Sequence, residues 1–278
     1  MAEELSYIAY LDILGTRSLI QANPLDFAKR FEQFVRLVED GKNTPQLRSH
    51  HQLRIRAFQD SILLQWPIGS LSENDRNLAL LNISHFLCYM LANGLDRNLA
   101  LRGAVSCGTV YQSAHGIYGP CVSSAAHWHD NSEWIGVVYT PEMDKEIQSS
   151  PLFQKAQQHA ILSRPDFLRQ IMGPVVRYEM PVKEAPTSTL WVVDWPRYMA
   201  EQIRSTTKSG APAELAHECF GQFCENFPPQ TEAAKLKHQN TRDFIDFSLR
   251  KNPIPEMSLK MWDWTRQTRQ SIRKDKNR

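Results

Sequence analysis

The chain opens with an apolar run, residues 7–11, whose aromatic and β-branched side chains predict a buried strand. Asp12 ends this run, and Gly15 follows three positions later as the mark of a tight turn. A carboxylate that leaves water without a partner is costly. Asp12 is therefore either neutralised by a network of hydrogen bonds or used to hold a cation.

The pattern after this strand predicts a helix and then a β-hairpin. Apolar residues recur at helical spacing between positions 27 and 38, so one face of the helix is expected to pack on a core. Residues 53–58 and 61–66 are two apolar runs separated only by Gln59 and Asp60. Two such runs around a short polar pair are typical of a hairpin, which places Asp60 at or near its tip.

The following segments predict a helix, a strand, a second helix and another strand. The first helix runs from Ser72 to about Ala92, where an Asn-Gly pair is expected to end it. A strand follows over residues 99–108, a helix over 120–130 and a strand over 135–139. The order β-α-β-β-α-β, continued by a helix and a strand, predicts an α+β fold with a ferredoxin-like core.

Two units are expected along the chain: an N-terminal domain of residues 1–148 and a strand-and-helix extension of residues 149–278. Two late strands, 175–180 and 189–193, and the helices after Pro196 fall in the extension. No group of reactive side chains stands out there. We therefore expect the extension to pack on the core and to aid dimerisation.

Composition narrows the class of protein. The 278 residues are 42% hydrophobic and 22% charged with a formal net charge of +2, which is typical of a soluble globular protein and gives no global attraction to nucleic acid. The acidic start has no signal-peptide character, and the apolar stretch 78–91 is interrupted and too short to span a bilayer, so a cytoplasmic location is expected. The basic last twenty residues are expected to be a solvated terminus. Five scattered cysteines are typical of reduced core thiols: Cys88, Cys107, Cys121, Cys219 and Cys224.

Asp12 and Asp60 form the most informative pair in the chain. The end of the first strand and the β2–β3 hairpin lie side by side in a β-α-β-β sheet. Two carboxylates about 4 Å apart repel by about 4 kcal/mol at an effective dielectric near 20. A divalent cation between them reverses this sign, and hard cations such as Mg²⁺ and Mn²⁺ prefer oxygen ligands. Phosphoryl transfer commonly uses two such ions.

Four motifs, in chain order, resemble a class III nucleotidyl cyclase catalytic domain. They are Tyr-Leu-Asp-Ile-Leu-Gly (residues 10–15), Phe-Gln-Asp-Ser-Ile (58–62), Leu-Arg-Gly-Ala-Val-Ser-Cys-Gly (101–108) and Ile-Tyr-Gly-Pro (117–120). The first and third resemble in particular the pyrimidine cyclases of the bacterial Pycsar anti-phage systems. The resemblance covers about residues 6 to 140.

The resemblance implies that Asp12 and Asp60, assisted by the carbonyl of Ile13, bind two Mn²⁺ or Mg²⁺ ions per site. It also implies that the turn after the first strand contacts the substrate phosphates, and backbone N–H groups at such a turn suit that role. The residues of this turn are Ile13, Leu14, Gly15, Thr16 and Arg17.

Arg56 stands at the position where class III cyclases carry a base-reading side chain, four residues before the hairpin aspartate. Arginine only donates hydrogen bonds, so it suits the carbonyl-rich edge of uracil better than the amino group of cytosine. A solvent-facing strand arginine is the alternative reading.

The chain departs from the purine-cyclase pattern after the Gly-Pro turn. Where that family carries an asparagine that orients the ribose and an arginine that stabilises the transition state, this sequence has Ser123 and His127. Arg17, Arg102 and His127 are the candidates for the missing charge stabilisation, although Arg102 has the alternative role of a buried arginine that caps strand carbonyls. His127, His129 and Asp130 resemble a metal cluster, but residues two apart on a helix point in different directions, so no zinc site is expected.

The sequence thus predicts a cytosolic homodimer, with sites at the interface, that converts UTP to 3′,5′-cyclic UMP and pyrophosphate. The product is expected to act as a second messenger in anti-phage defence, read by a separate cyclic-nucleotide receptor protein. No nucleic acid substrate and no membrane are expected. Three alternatives stay open: a cytidylate cyclase that makes cyclic CMP, a silent cyclase-like module that binds nucleotide, and a metal-dependent polymerase or nucleotidyltransferase on a similar sheet.

Overall fold

The computed structural model describes residues 2–42, 53–151, 153–154, 174–183, 188–204 and 214–251. Elements are numbered along these residues. The strands are β1 (Ala2–Ile13), β2 (Arg54–Phe58), β3 (Ser61–Pro67), β4 (Leu101–Gln112), β5 (Ile117–Tyr118), β6 (Gly136–Tyr139), β7 (Val175–Met180) and β8 (Ser188–Val193). The helices are α1 (Thr16–Ala22), α2 (Pro24–Lys42), α3 (Glu73–Asp96), α4 (Pro120–Asn131), α5 (Pro141–Ser149), α6 (Trp195–Arg204), α7 (Glu214–Asn226) and α8 (Glu232–Lys251).

One mixed sheet of eight strands organises the described part of the chain, in the order β2-β3-β1-β4-β6-β8-β7, with β5 paired to β4. The first four positions are antiparallel neighbours in the order of a ferredoxin-like core. β6 then joins β4 in parallel. The predicted α+β class and the ferredoxin-like β-α-β-β-α-β core are confirmed.

The central strand β1 separates two clusters of buried side chains, because successive residues of a strand point to opposite faces. Tyr7, Leu11 and Ile13 belong to the main core, which α3 shares. Ile8, on the other face, packs in a smaller cluster with Cys121 of α4. Asp12 has the parity of Ile8, so its side chain is directed to the sheet face that α4 covers.

Helix α3 begins as predicted and ends later than predicted. Ser72 is its N-cap, and the Ser72 hydroxyl accepts a hydrogen bond from the Asp75 amide. The helix continues through Gly94 to Asp96. A Cβ atom at Gly94 would lie 2.7 Å from the Leu99 carbonyl oxygen, so this glycine serves a close approach of the chain after the helix rather than its termination.

By length and composition α3 satisfies the criteria for a membrane-crossing helix, so the prediction that this stretch is too short is wrong. The reason is that the helix extends five residues beyond each end of the apolar stretch 78–91. Within the fold, 61% of its apolar window is buried. In this structure α3 is a core helix, and its apolar side chains pack inside the fold.

The late strands and helices continue the same sheet and core. β8 pairs with β6, and β7 pairs with β8, so strands on both sides of residue 148 share one sheet. Thr241 of α8 accepts the Ile135 amide, and the buried Ser248 hydroxyl donates to Asp194. Residues 227–231, which include Pro228 and Pro229, lie between α7 and α8. The role of residues 149–278 in dimerisation stays a prediction, and the basic tail lies outside the described residues.

Buried thiols lead to a prediction about chemical reactivity. Burial raises the pKa of Cys107 to about 12 and that of Cys121 to about 11. The thiolate is the nucleophile, so at pH 8 almost all of each thiol is in the unreactive form. We expect both cysteines to react with an aromatic disulfide reagent at least tenfold more slowly in the native protein than in 8 M urea, measured residue by residue by peptide mass spectrometry. Equal native and denatured rates at either cysteine would contradict its burial.

Candidate active site

The ends of three adjacent strands bring the two predicted metal-ligand positions together. In the β-sheet register, Asp12 of β1 lies opposite Ser61 of β3 on one side and opposite Arg102 of β4 on the other. Asp60 occupies the β2–β3 turn, directly before Ser61, and its carbonyl accepts the Ile13 amide at 3.1 Å. The predicted hairpin and the adjacency of Asp12 and Asp60 in the sheet are therefore present in the structure.

The Asp12 carboxylate is held through one of its two oxygens. His129 Nε2 lies 3.2 Å from Asp12 Oδ2, and Arg102 Nη2 lies 3.5 Å from the same oxygen. The three side chains retain only 13%, 11% and 17% of their surface, for His129, Arg102 and Asp12 respectively. Within the described residues, Oδ1 of Asp12 has no hydrogen-bond partner. One oxygen is thus fixed by the protein and the other is available to a ligand.

Helix α4 positions His129 against the strand end. The ring is held at Nδ1, which lies 3.0 Å from the Ala126 carbonyl, and by the tilted Tyr10 ring, whose centroid is 5.0 Å from its own. Cys121 and Ala125 are the buried residues of α4 that pack on the sheet. His129 follows them at the spacing of one helical stripe, i, i+4 and i+8, and so reaches the same sheet face.

His129 is the functional candidate that the sequence reading passed over, since it singled out His127 and Ser123. Both of those side chains are exposed on α4. Residues two apart on a helix do not share a face, so His127 and His129 point away from each other. The signal that identifies His129 is the apolar stripe from Cys121 through Ala125, which was present in the sequence.

Arg102 links Asp12 to the later part of the chain. Its Nη2 is also 3.7 Å from Asp130 Oδ1, the oxygen to which Lys183 Nζ donates at 2.9 Å. The hydrogen bond from Lys183, reinforced by Arg102 and His129, holds the pKa of Asp130 below its usual value, against the effect of partial burial. Arg102 Nε and Nη1 are buried without a hydrogen-bond partner among the described residues, so this guanidinium pairs with acids and caps no described strand carbonyl.

The turn after β1 has the geometry of a tight strand-to-helix connection. Gly15 has φ +76°, the left-handed conformation that favours glycine, and it is the N-cap of α1. The Thr16 hydroxyl donates to the Ile13 carbonyl at 2.5 Å. The amides of Ile13 and Leu14 donate to the carbonyls of Asp60 and Ala100.

The Ile13 and Leu14 amides already donate to backbone carbonyls. Of the five turn residues, Gly15, Thr16 and Arg17 therefore keep their amides for the phosphate contacts that the resemblance implies. Gly15 and Thr16 supply the N–H groups nearest the strand end, and Arg17 adds an exposed guanidinium beside them. The Ile13 carbonyl accepts the Thr16 hydroxyl, and a carbonyl oxygen has two lone pairs.

Arg56 lies on the same sheet face as Asp12. The β-sheet pairing aligns Arg56, Leu63 and Tyr10 in one row across three strands. The row that contains Asp12 is the next one, about 7 Å further along the strands. Arg56 is partly exposed and has no ion pair or hydrogen bond within the described residues.

The donor set at this site suits a hard divalent cation that is completed by its substrate. No group of three His, Cys, Asp or Glu side chains is arranged to hold a metal ion in the part of the chain that the structure describes. Mg²⁺ is usually bound by one or two carboxylates together with substrate phosphates rather than by a full protein cage. Three groups agree with that arrangement: Asp12 Oδ1, which has no hydrogen-bond partner among the described residues, the partly exposed Asp60 and the Ile13 carbonyl.

Comparisons with known proteins give structural neighbours only. No protein-family model and no curated protein matches the chain. Among solved structures, the guanylyl cyclase Cya2 aligns at 14% identity and TM-score 0.39 over 69% of this chain and 93% of its own. A bacterial light-regulated adenylyl cyclase aligns at 11% identity and TM-score 0.43, over 80% of this chain and 100% of its own. An adenylate/guanylate cyclase/hydrolase from Silicibacter pomeroyi aligns at 14% identity and TM-score 0.39, over 69% of this chain and 97% of its own. Similarity at this level says nothing about what the chain binds or does.

Proposed function

We propose that this protein is a pyrimidine nucleotide cyclase that converts UTP to 3′,5′-cyclic UMP and pyrophosphate. The observation that carries the proposal is the placement of Asp12 and Asp60, each within its sequence motif, at adjacent strand ends of one sheet. In the reaction the ribose O3′ forms a bond to the α-phosphorus and loses its proton to solvent. The bond from the α-phosphorus to the bridging oxygen breaks, and pyrophosphate leaves with the electron pair.

The chain's own residues supply binding and orientation. Asp12 and Asp60 would hold Mn²⁺ or Mg²⁺, which when bound stabilises negative charge on the attacking and leaving oxygens. The amides after Gly15 and the Arg17 guanidinium would contact the phosphate chain. Most of the acceleration in such a transfer comes from positioning and electrostatics rather than from a covalent intermediate.

Arg102 is the proposed source of charge stabilisation at the α-phosphate. It is mostly buried, it sits opposite Asp12, and its Nε and Nη1 have no partner within the described residues. Guanidinium groups pair with phosphate oxygens through two N–H donors, so a small movement of the Arg102 side chain on substrate binding would let its unused donors take that role. His127 is a weaker candidate, because its exposed side chain lies on a different face of α4 from His129.

Arg56 is proposed to select the base. Its guanidinium, which has no hydrogen bond or ion pair within the described residues, stands one row from Asp12 on the same face, and an arginine donates to the carbonyl acceptors of uracil. Cytosine presents an amino donor at its N4 edge, which Arg56 cannot pair with. Selection of CTP is therefore the alternative within the same enzyme class.

The wider role is part of the proposal. We place the enzyme in the cytoplasm as a homodimer whose sites form at the interface, and its cyclic product as a second messenger of anti-phage defence that a separate receptor protein reads. Phe58 is 75% exposed beside the turn that carries Asp60, which is consistent with a protein surface covering this edge. Light scattering of the full chain measures the dimer directly, and a monomer at micromolar concentration contradicts it.

The test is an incubation of the purified protein with Mn²⁺ and, separately, ATP, GTP, CTP and UTP, with products identified by mass spectrometry. Asp60→Ala is run beside Asp26→Ala, a matched change in a surface aspartate that pairs with Arg30 of its own helix. We expect cyclic UMP from wild-type protein and from Asp26→Ala, and a loss of at least 100-fold in Asp60→Ala.

Each other outcome favours a different function. Cyclic CMP keeps the enzyme class and contradicts the assignment of Arg56. Nucleotide binding without any cyclic product favours the silent module. Joining of nucleotides to a primer or acceptor, with no free cyclic product, favours a polymerase or nucleotidyltransferase.

A further inference from the structure

Two side chains contact Asp12 at the same oxygen, and neither contacts the other oxygen. His129 Nε2 and Arg102 Nη2 lie 3.2 Å and 3.5 Å from Oδ2. A carboxylate fixed at one oxygen presents the other in a defined direction. Metal-binding carboxylates are commonly oriented by such partners, whose loss typically lowers metal affinity by about 10- to 100-fold.

We infer that His129 is a positioning residue, which holds Asp12 Oδ2 so that Oδ1 faces the divalent cation. This inference rests on the proposed function, because it assumes that Asp12 binds a cation. His129 touches neither substrate nor cation and acts only through Asp12.

His129 is better suited than Arg102 to set the carboxylate direction. Its Nδ1–H donates to the Ala126 carbonyl and its ring packs against Tyr10, so α4 determines the position of Nε2, which donates to Asp12 Oδ2 in the form of the ring that carries both protons. Arg102 divides one nitrogen between Asp12 and Asp130, at the longer distances of 3.5 Å and 3.7 Å. The closer and better fixed contact is that of His129.

The two amide replacements of His129 separate its two contacts. In His129→Gln the side-chain nitrogen takes the place of Nε2 and still donates to Asp12, although the contact with Ala126 is lost. In His129→Asn the nitrogen takes the place of Nδ1, so the contact with Ala126 is kept and Asp12 loses its donor. His115→Asn, at an exposed loop position, controls for the change of residue type.

The measurement is binding of Mn²⁺ alone, followed by the electron paramagnetic resonance signal of the free ion, with thermal melting of each variant in chelator. We expect Mn²⁺ affinity to fall by about 10- to 100-fold in His129→Asn. We expect it to stay within about threefold of wild type in His129→Gln and His115→Asn. A merely structural histidine would lower the Mn²⁺ affinity and the melting temperature of both variants together. The positioning role therefore predicts different Mn²⁺ affinities for His129→Asn and His129→Gln at melting temperatures that agree within a few degrees.

The outcomes separate this inference from the function on which it rests. Equal affinity in wild type and His129→Asn overturns the positioning role and leaves the proposed enzyme intact. Tighter Mn²⁺ binding in His129→Asn overturns it too, because His129 would then compete with the ion. A wild-type protein that binds no Mn²⁺ contradicts the proposed function, and the inference falls with it.

Discussion

Replacement of Asp12 by asparagine is expected to lower cyclic nucleotide formation by about three orders of magnitude, because loss of the charge proposed to hold the cation would remove several kcal/mol of transition-state stabilisation. Asparagine keeps the shape of the side chain and one oxygen that accepts hydrogen bonds, so His129 can still donate to the side chain at position 12. The effect should therefore appear in turnover far more than in folding. It is measured as the rate of product formation at saturating Mn²⁺.

Two controls keep this expectation falsifiable. Asp26→Asn changes a surface aspartate in the same way and should leave the rate unchanged. Asp12→Glu keeps the charge that faces Arg102 and moves the carboxylate by one methylene, so it should lose activity while it retains the wild-type free energy of unfolding. Wild-type turnover in a folded Asp12→Asn protein would remove Asp12 from the chemistry.

Replacement of Gly103 by alanine is expected to lower the free energy of unfolding by about 3 kcal/mol. An added Cβ would lie 2.4 Å from Leu11 Cδ2 and 2.5 Å from the Tyr10 carbonyl oxygen. The carbonyl belongs to the backbone of the neighbouring strand and cannot move without separating β1 from β4. Since Gly103 follows Arg102, the same displacement would disturb the pairing of Arg102 with Asp12.

Gly221→Ala is the matched comparison. A Cβ at Gly221 meets nothing within 4 Å, and the residue lies inside helix α7. Alanine exceeds glycine in helix propensity by about 1 kcal/mol, so this variant should be stabilised. Urea unfolding followed by circular dichroism measures both variants. An unchanged stability in Gly103→Ala would contradict the close approach of β1 and β4.

The elements themselves were largely predictable because their signals are local. The apolar run of residues 7–11 and the paired runs around Asp60 each involve a few consecutive side chains, and the structure has a strand and a hairpin there. The cap at Ser72 is likewise a contact over three residues. The end of α3 was missed because Gly94 is explained by the Leu99 carbonyl, a contact made after the chain turns.

Part of the candidate site was likewise predictable from local sequence signals, and part depended on the packing of the fold. Asp12 and Asp60 were identified from strand-end position and motif, and a β-α-β-β order makes those positions neighbours whatever the details of packing. The choice between His127 and His129 depended on the rotation of α4 about its axis. That rotation is set by Cys121 and Ala125 packing on the sheet.

The sequence by itself determined the order of strands and helices and the two acidic strand ends, since period and turn chemistry act between near neighbours. Only the tertiary structure decided what surrounds the Asp12 carboxylate. His129 and Arg102 are 117 and 90 positions away from Asp12 along the chain. They reach one oxygen because strand register and helix packing bring them there, and those are settled only when the sheet assembles.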